Sequence, residues 1–169
     1  MKKHAPISVF FHNYYGCDHD WLHFFTNNLA SPYHLFYNIV ADSYQRLKDE
    51  NGKSIIQNQA DVPFLQQMIK RISTNKGKDI GGKLVLMDTY LKLDFKSDYL
   101  LFLHDKKSLH QHNGQQWGTN LFRIAEKEYQ QKVLDVFSKH SSVGMVAASS
   151  AIRNEWDNEQ KSNAYTNSK

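Results

Sequence analysis

The pattern of apolar and polar positions alternates between short buried runs and amphipathic stretches. Ile7 to His12 (Ile-Ser-Val-Phe-Phe-His) is a short apolar run between Pro6 and the turn-prone stretch Asn13 to Asp18, which predicts a core strand. Trp21, Phe24, Phe25 and Leu29 recur at helical spacing, with Asp18 as cap and Pro32 as stop, so a helix is expected from Asp18 to about Ala30. Tyr33 to Val40 reads as a second strand, followed by an Asp42-Ser43 turn and a weakly amphipathic stretch through Lys48. Leu65, Met68, Ile69 and Ile72 fall at i, i+3, i+4 and i+7 behind Asp61 and Pro63, which predicts a helix over 62–72. Ile80, Leu84, Met87 and Leu91 predict the next helix by the same spacing, with that stripe as its buried face. Asp98 to His104 is the clearest buried strand; Trp117 to Phe137 carries a long helical pattern; Ser142 to Ala148 reads as a last strand. Residues 1–152 thus form one expected domain, with 153–169 a polar, frayed tail.

Strands alternating with helices point to an α/β fold with a mostly parallel sheet, in which ligands bind outside the carboxyl ends of the strands. The chemistry is therefore expected at His12 to Tyr15, at Asp42-Ser43, in the glycine-rich link Thr74 to Gly82, at His104 to Ser108 and in the segment after Ala148.

Composition narrows this picture. The chain of 169 residues is 40% hydrophobic and 22% charged, which suits a packed domain and excludes a largely disordered chain. A formal net charge of +4 is a mild surplus that favours phosphates or an anionic membrane surface but is too small to argue for nucleic acid, so no nucleic-acid partner is expected. The single Cys17 excludes an internal disulfide and multi-cysteine zinc sites, and has no visible partner for Cys/His catalysis; it and His34 are expected to be structural. No apolar run approaches the roughly 20 residues of a membrane span, and the N-terminus lacks the form of a secretory signal, so a cytoplasmic location is expected, with peripheral membrane association as an extension of it.

Three segments carry candidate chemistry. Gly77-Lys-Asp-Ile-Gly-Gly82-Lys83 matches the G-x-x-x-x-G-K part of a phosphate-binding P-loop, but Leu84 replaces the Ser or Thr needed for magnesium, and Ile72 to Lys76 is hardly a strand. The alternatives are a turn whose glycines bring a helix close to a strand, or a helix start that receives a pyrophosphate on its N–H groups beside Lys76 and Lys78. His104-Asp105-Lys106-Lys107-Ser108 ends the strongest strand on ionisable residues, where an acid commonly meets a metal ion or a substrate hydroxyl; His110 and His112 add a second metal reading. His12-Asn13-Tyr14-Tyr15 offers rings that can stack on a base or sugar, or pack in the core.

Together, Val9 to Tyr15, Asn75 to Gly81, Asp98 to Ser108 and Val143 to Val146 resemble the rhamnan synthesis protein F family of bacterial cell-surface polysaccharide and lipopolysaccharide assembly, in order and spacing over about Ile7 to Ala148. The resemblance implies a Rossmann-like GT-A glycosyltransferase fold that binds a nucleoside-diphosphate sugar, such as dTDP-rhamnose or a UDP-sugar, and transfers the sugar to a glycan or lipid-linked acceptor. It implies donor contacts from His12, Tyr14, Asp42, Asn75, Gly77, Asp79 and His104. It also places Asp105 where such enzymes end a strand on Asp-x-Asp, with Mn or Mg as cofactor. Asp105 is that motif's only carboxylate here, so Lys106 and Lys107 are expected to share the neutralisation of the leaving diphosphate, whereas Lys83 is expected to face solvent. The polar tail offers only Glu155 and Asp157 as bases, so the acceptor half is expected to be short or absent. The rival readings are a non-catalytic nucleotide-sugar or glycan-binding module and a P-loop phosphotransferase.

Overall fold

The computed structural model describes residues 5–15, 28–29, 31–45, 62–105 and 122–147. Within them four strands, β1 (Ile7–Asn13), β2 (Tyr33–Val40), β3 (Leu65–Ser73) and β4 (Tyr99–His104), form one sheet in the order β3-β2-β1-β4. Every pairing is parallel. Helix α1 (Lys78–Leu91) connects β3 to β4, and α2 (Lys127–Lys139) follows a 3-10 turn at Arg123–Ala125. The α/β class with a largely parallel, Rossmann-like sheet is as the sequence predicts.

The central strands β1 and β2 are buried along their whole length, because a parallel sheet is covered on both faces and its inner strands read as unbroken apolar runs. On one face Val9, Phe11, Leu35, Tyr37, Ile39, Met68 and Leu103 pack with Leu29, Phe122 and Ala125. On the other, Phe10 stacks on Phe36 at 4.9 Å, and Tyr90 of α1 meets both rings edge-on at 5.4 Å, with Leu86 completing the layer.

Five expectations are corrected. The helix expected over 62–72 is strand β3, which hydrogen-bonds to β2 at one end of the order. Met68 goes to the core face while its neighbour Ile69 goes to the α1 face, as period two requires; the register irregularity between Leu65 and Gln67 lets Leu65 share the Met68 face at a spacing of three, and Ile72 is left exposed, so the helical spacing is coincidental. α1 exists as predicted but is rotated: Gly82, Leu86, Thr89 and Tyr90 face the sheet, while Ile80, Leu84 and Leu91 are exposed. β4, expected as the clearest buried strand, leaves Leu100 and Phe102 exposed, since no strand among the described residues covers its outer edge. The long helix is broken at Glu126, whose extended backbone (φ −72°, ψ 141°) separates the 3-10 turn from α2, and 143–147 form no strand. The expected helix from Asp18, apart from 28–29, and the polar tail lie outside the described residues.

Candidate functional site

From β1 the chain steps outward to β2 and β3, and α1 then carries it back across the sheet to β4 on the other side of β1. Such a reversal opens a crevice outside the carboxyl ends of the two strands that flank it, here β1 and β4. Strand register sets Arg71, Asn38, His12 and His104 in one row across the sheet at that end. All four follow by two residues the positions of Ile69, Phe36, Phe10 and Phe102, so they share the face covered by α1.

His12 is at the centre of the row, with 1% exposure. The amide Nδ2 of Asn38 donates to His12 Nδ1 at 2.9 Å and to Ser73 Oγ at 2.9 Å. An accepting Nδ1 puts the proton of the neutral ring on Nε2. Burial lowers the pKa of His12, Asp79 opposes the shift, and Lys83 adds to it, so the ring is held neutral. Its Nε2 is buried and has no hydrogen-bond partner. Gly82 of α1 lies directly over the ring: a Cβ there would stand 2.1 Å from Nδ1.

The start of α1 extends past this row. Gly82 is level with His12, the next-to-last residue of β1, so residues 78–81 project about 6 Å beyond it at 1.5 Å per residue. Gly77, in the left-handed region at φ 76°, caps the helix without a side-chain hydrogen bond, which leaves first-turn N–H groups pointing outward beside Lys76 and Lys78. The P-loop reading fails on this geometry. A strand does precede the motif, contrary to expectation, but the helix begins at Lys78, and Gly81 N–H already bonds Gly77 O at 2.8 Å, so no open loop remains to wrap a phosphate.

Lys83 does not face solvent as expected. Its side chain is 22% exposed; Nζ donates to His104 Nδ1 at 3.3 Å and lies 3.8 Å from the Asp79 carboxylate. Burial lowers its pKa, and Asp79 partly restores it.

Behind the row, Asp105 joins the loops that follow β4 and β1. Its carboxylate, 2% exposed, accepts the backbone N–H groups of Tyr14 at 2.6 Å and Tyr15 at 2.5 Å, and its own N–H donates to His12 O at 3.1 Å. The Ser43 hydroxyl donates to Tyr14 O, which ties the turn after β2 into the same cluster. Tyr14 is 39% exposed and meets the Tyr15 ring edge-on at 4.7 Å.

The described residues do not by themselves fit a divalent-metal centre. Asp105 spends both oxygens on backbone amides, and no group of three or more His, Cys, Asp or Glu side chains that could hold a metal ion gathers among the described residues.

A family model described as rhamnan synthesis protein F matches residues 1–166. The chain belongs to the rhamnan synthesis protein F family. Membership gives this rhamnan synthesis protein a role in rhamnan polysaccharide synthesis. No curated protein and no solved structure matches it. Among the described residues no helix is long and apolar enough to cross a membrane.

Of the residues singled out from sequence, His12, Tyr14, Asp79, His104 and Asp105 come together around the ends of β1 and β4. Asp42 is exposed on the helical turn 41–45, one residue from Ser43. Asn75 is exposed in the link, where its carbonyl accepts the Lys78 N–H at 3.1 Å, and Gly77 is the cap itself. Lys106, Lys107, Ser108, His110, His112, Cys17 and the segment after Ala148, with Glu155 and Asp157, lie outside the described residues. Sequence reasoning missed Asn38 and Ser73, and it turned Lys83 the wrong way, to solvent. Asn38 had a signal: it interrupts the wholly buried run Tyr33 to Val40, where an amide needs partners.

Proposed function

We propose that this rhamnan synthesis protein is a GT-A-like glycosyltransferase that binds a nucleoside-diphosphate sugar in the crevice at the ends of β1 and β4. The observation that carries this reading is the polar row Asn38-His12-His104 at the chain reversal, buried at Asn38 and His12 and half-buried at His104, beneath the projecting N-terminus of α1. A helix N-terminus with Lys76 and Lys78 beside it suits a diphosphate, and the exposed Tyr14 ring suits stacking on the base or sugar. Asp42 and Asp79 are carboxylates within chain reach that can accept sugar or ribose hydroxyls. The donor class is a deoxysugar nucleotide such as dTDP-rhamnose, or a UDP-sugar, and the acceptor a glycan or lipid-linked glycan at the cytoplasmic face of a membrane.

Transfer is a displacement at the anomeric carbon: an acceptor hydroxyl oxygen bonds to that carbon as its bond to the diphosphate oxygen breaks. The acceptor's proton leaves to a base, and the diphosphate departs with an added negative charge. Lys106 and Lys107, next in the chain to Asp105, and the α1 terminus are the groups proposed to stabilise that charge. A Mn or Mg ion would supply further charge neutralisation. Because Asp105 is already engaged by two amides, no step is routed through it.

That engagement also favours a second reading, a non-catalytic nucleotide-sugar-binding module, in which Asp105 serves only to hold the binding loop. One experiment addresses both: melting temperature and sugar release measured with dTDP-rhamnose and UDP-sugars, with and without manganese. Ligand at a hundred times its Kd stabilises the native state by about 2.7 kcal/mol, a shift of several degrees. Stabilisation with transfer to a rhamnan acceptor supports the enzyme, and stabilisation without transfer or hydrolysis supports the module. No shift with any nucleotide sugar rejects both.

A further inference from the structure

We propose that Lys83 and the Nε2–H of His12 together form the subsite that receives the diphosphate, between the first turn of α1 and the ends of β1 and β4. The inference rests on the nucleotide-sugar reading and assigns the anion of that ligand to Lys83 and His12.

Three independent features converge on this place. Lys83, next to the inward Gly82 on α1, is turned onto His104 at 3.3 Å with its side chain 22% exposed. Its one opposing charge among the described residues is Asp79, on its own helix, at 3.8 Å and 44% exposed, a spacing that an incoming anion can outcompete. His12 is 1% exposed and keeps a buried Nε2 without a partner, and the Oδ1 of neighbouring Asn38, whose Nδ2 bonds both His12 Nδ1 and Ser73 Oγ, is likewise buried and unpartnered. With Nδ1 held by Asn38 on β2, Nε2 leaves the ring on the side away from that bond, and Lys83 is close enough to His12 to disfavour its protonation. A buried N–H without an acceptor is costly to a fold and is what a phosphate oxygen would satisfy. The N-terminus of α1 adds outward N–H groups over the same crevice. A cation, a buried neutral donor and a helix terminus together select a ligand rich in anionic oxygens.

The test uses titration calorimetry on the full chain with inorganic pyrophosphate, dTDP and thymidine as separate probes. Wild type is expected to bind pyrophosphate and dTDP, and Lys83→Met, which keeps the stem, is expected to weaken both at least tenfold, while Lys83→Arg stays within severalfold of wild type and any thymidine binding is unchanged. Undiminished dTDP affinity in Lys83→Met overturns the subsite and leaves the nucleotide-sugar reading standing. Pyrophosphate binding that depends on Lys83, with no nucleotide binding, supports the subsite and rejects the nucleotide reading. Absence of pyrophosphate and dTDP binding in wild type overturns the subsite. Should Lys83→Met fail to fold, reductive methylation of the wild-type protein read by mass spectrometry decides the matter. Pyrophosphate is expected to protect Lys83 and not Lys92, and equal labelling of Lys83 with and without pyrophosphate overturns the proposal.

Discussion

The α-carbon of Gly82 lies against the face of the His12 imidazole, so closely that a single added methyl would stand 2.1 Å from Nδ1 and 2.4 Å from Cε1. This contact sets the rotation of α1 over the sheet. With Gly82 inward, Leu86, Thr89 and Tyr90 follow onto the same face and Ile80, Leu84 and Leu91 turn outward.

Gly82→Ala is therefore expected to destabilise the protein, although Ala favours a helix over Gly by about 1 kcal/mol. The ring cannot retreat, since Asn38 holds it from the β2 side, and overpacking costs about 1–3 kcal/mol. The net loss should appear as a lower melting temperature. Combining Gly82→Ala with His12→Ala should recover part of it, because the two residues are in contact and their effects should not add. Fully additive losses in the double variant would contradict the contact.

Asp105→Ala removes a buried carboxylate from two amide N–H groups, each charge-assisted bond being worth about 1.5–3 kcal/mol. The expected result is a loss of a few kcal/mol in denaturant unfolding together with loss of nucleotide-sugar binding, as the Tyr14-Tyr15 loop comes free. Asp105→Asn, which can still accept one N–H, should lose less of both. A variant that binds donor normally but melts early would leave Asp105 with a purely structural role.

The position of this carboxylate was legible in the chain, while its partners were not. Asp105 ends an apolar run, and in a parallel sheet a strand end marks the ligand edge, so sequence sufficed to place it. That its oxygens turn toward Tyr14 and Tyr15 depends on β1 and β4 being paired, which no local pattern states. The same holds for Asn38, Ser73 and Lys83, whose roles come from strand register and from the Gly82 contact. β1 and β2 were readable because both faces are buried, whereas β3, half in solvent with Gln66, Gln67, Lys70 and Arg71 among its apolar residues, offered a pattern compatible with a helix.

His12 gives a pH dependence with a defined sign. Burial lowers its folded pKa below 6.5, so the native state disfavours protonation more than the unfolded chain does. Its contribution to stability is complete above pH 6.5 and is lost as pH falls from there toward the folded value, with a limiting slope of about 1.4 kcal/mol per pH unit. Melting temperatures recorded downward from about pH 8 to about pH 5 should fall more steeply for wild type than for His12→Asn. Parallel curves would show that His12 does not carry the difference.

Asp79→Asn separates two roles that the geometry gives one side chain. The carboxylate is 3.8 Å from Lys83, so it competes with any anion for that cation, and it is also exposed enough to meet a sugar hydroxyl. An ion pair of this exposure is worth about 0.2–1 kcal/mol, so the neutral amide should tighten pyrophosphate binding by up to about fivefold. If Asp79 also holds the sugar, dTDP-rhamnose affinity should fall in the same variant while dTDP affinity does not, which calorimetry with the three ligands resolves. Weaker pyrophosphate binding in Asp79→Asn would mean that the carboxylate supports the anion site through Lys83's position, and that Lys83 without it swings away from His104.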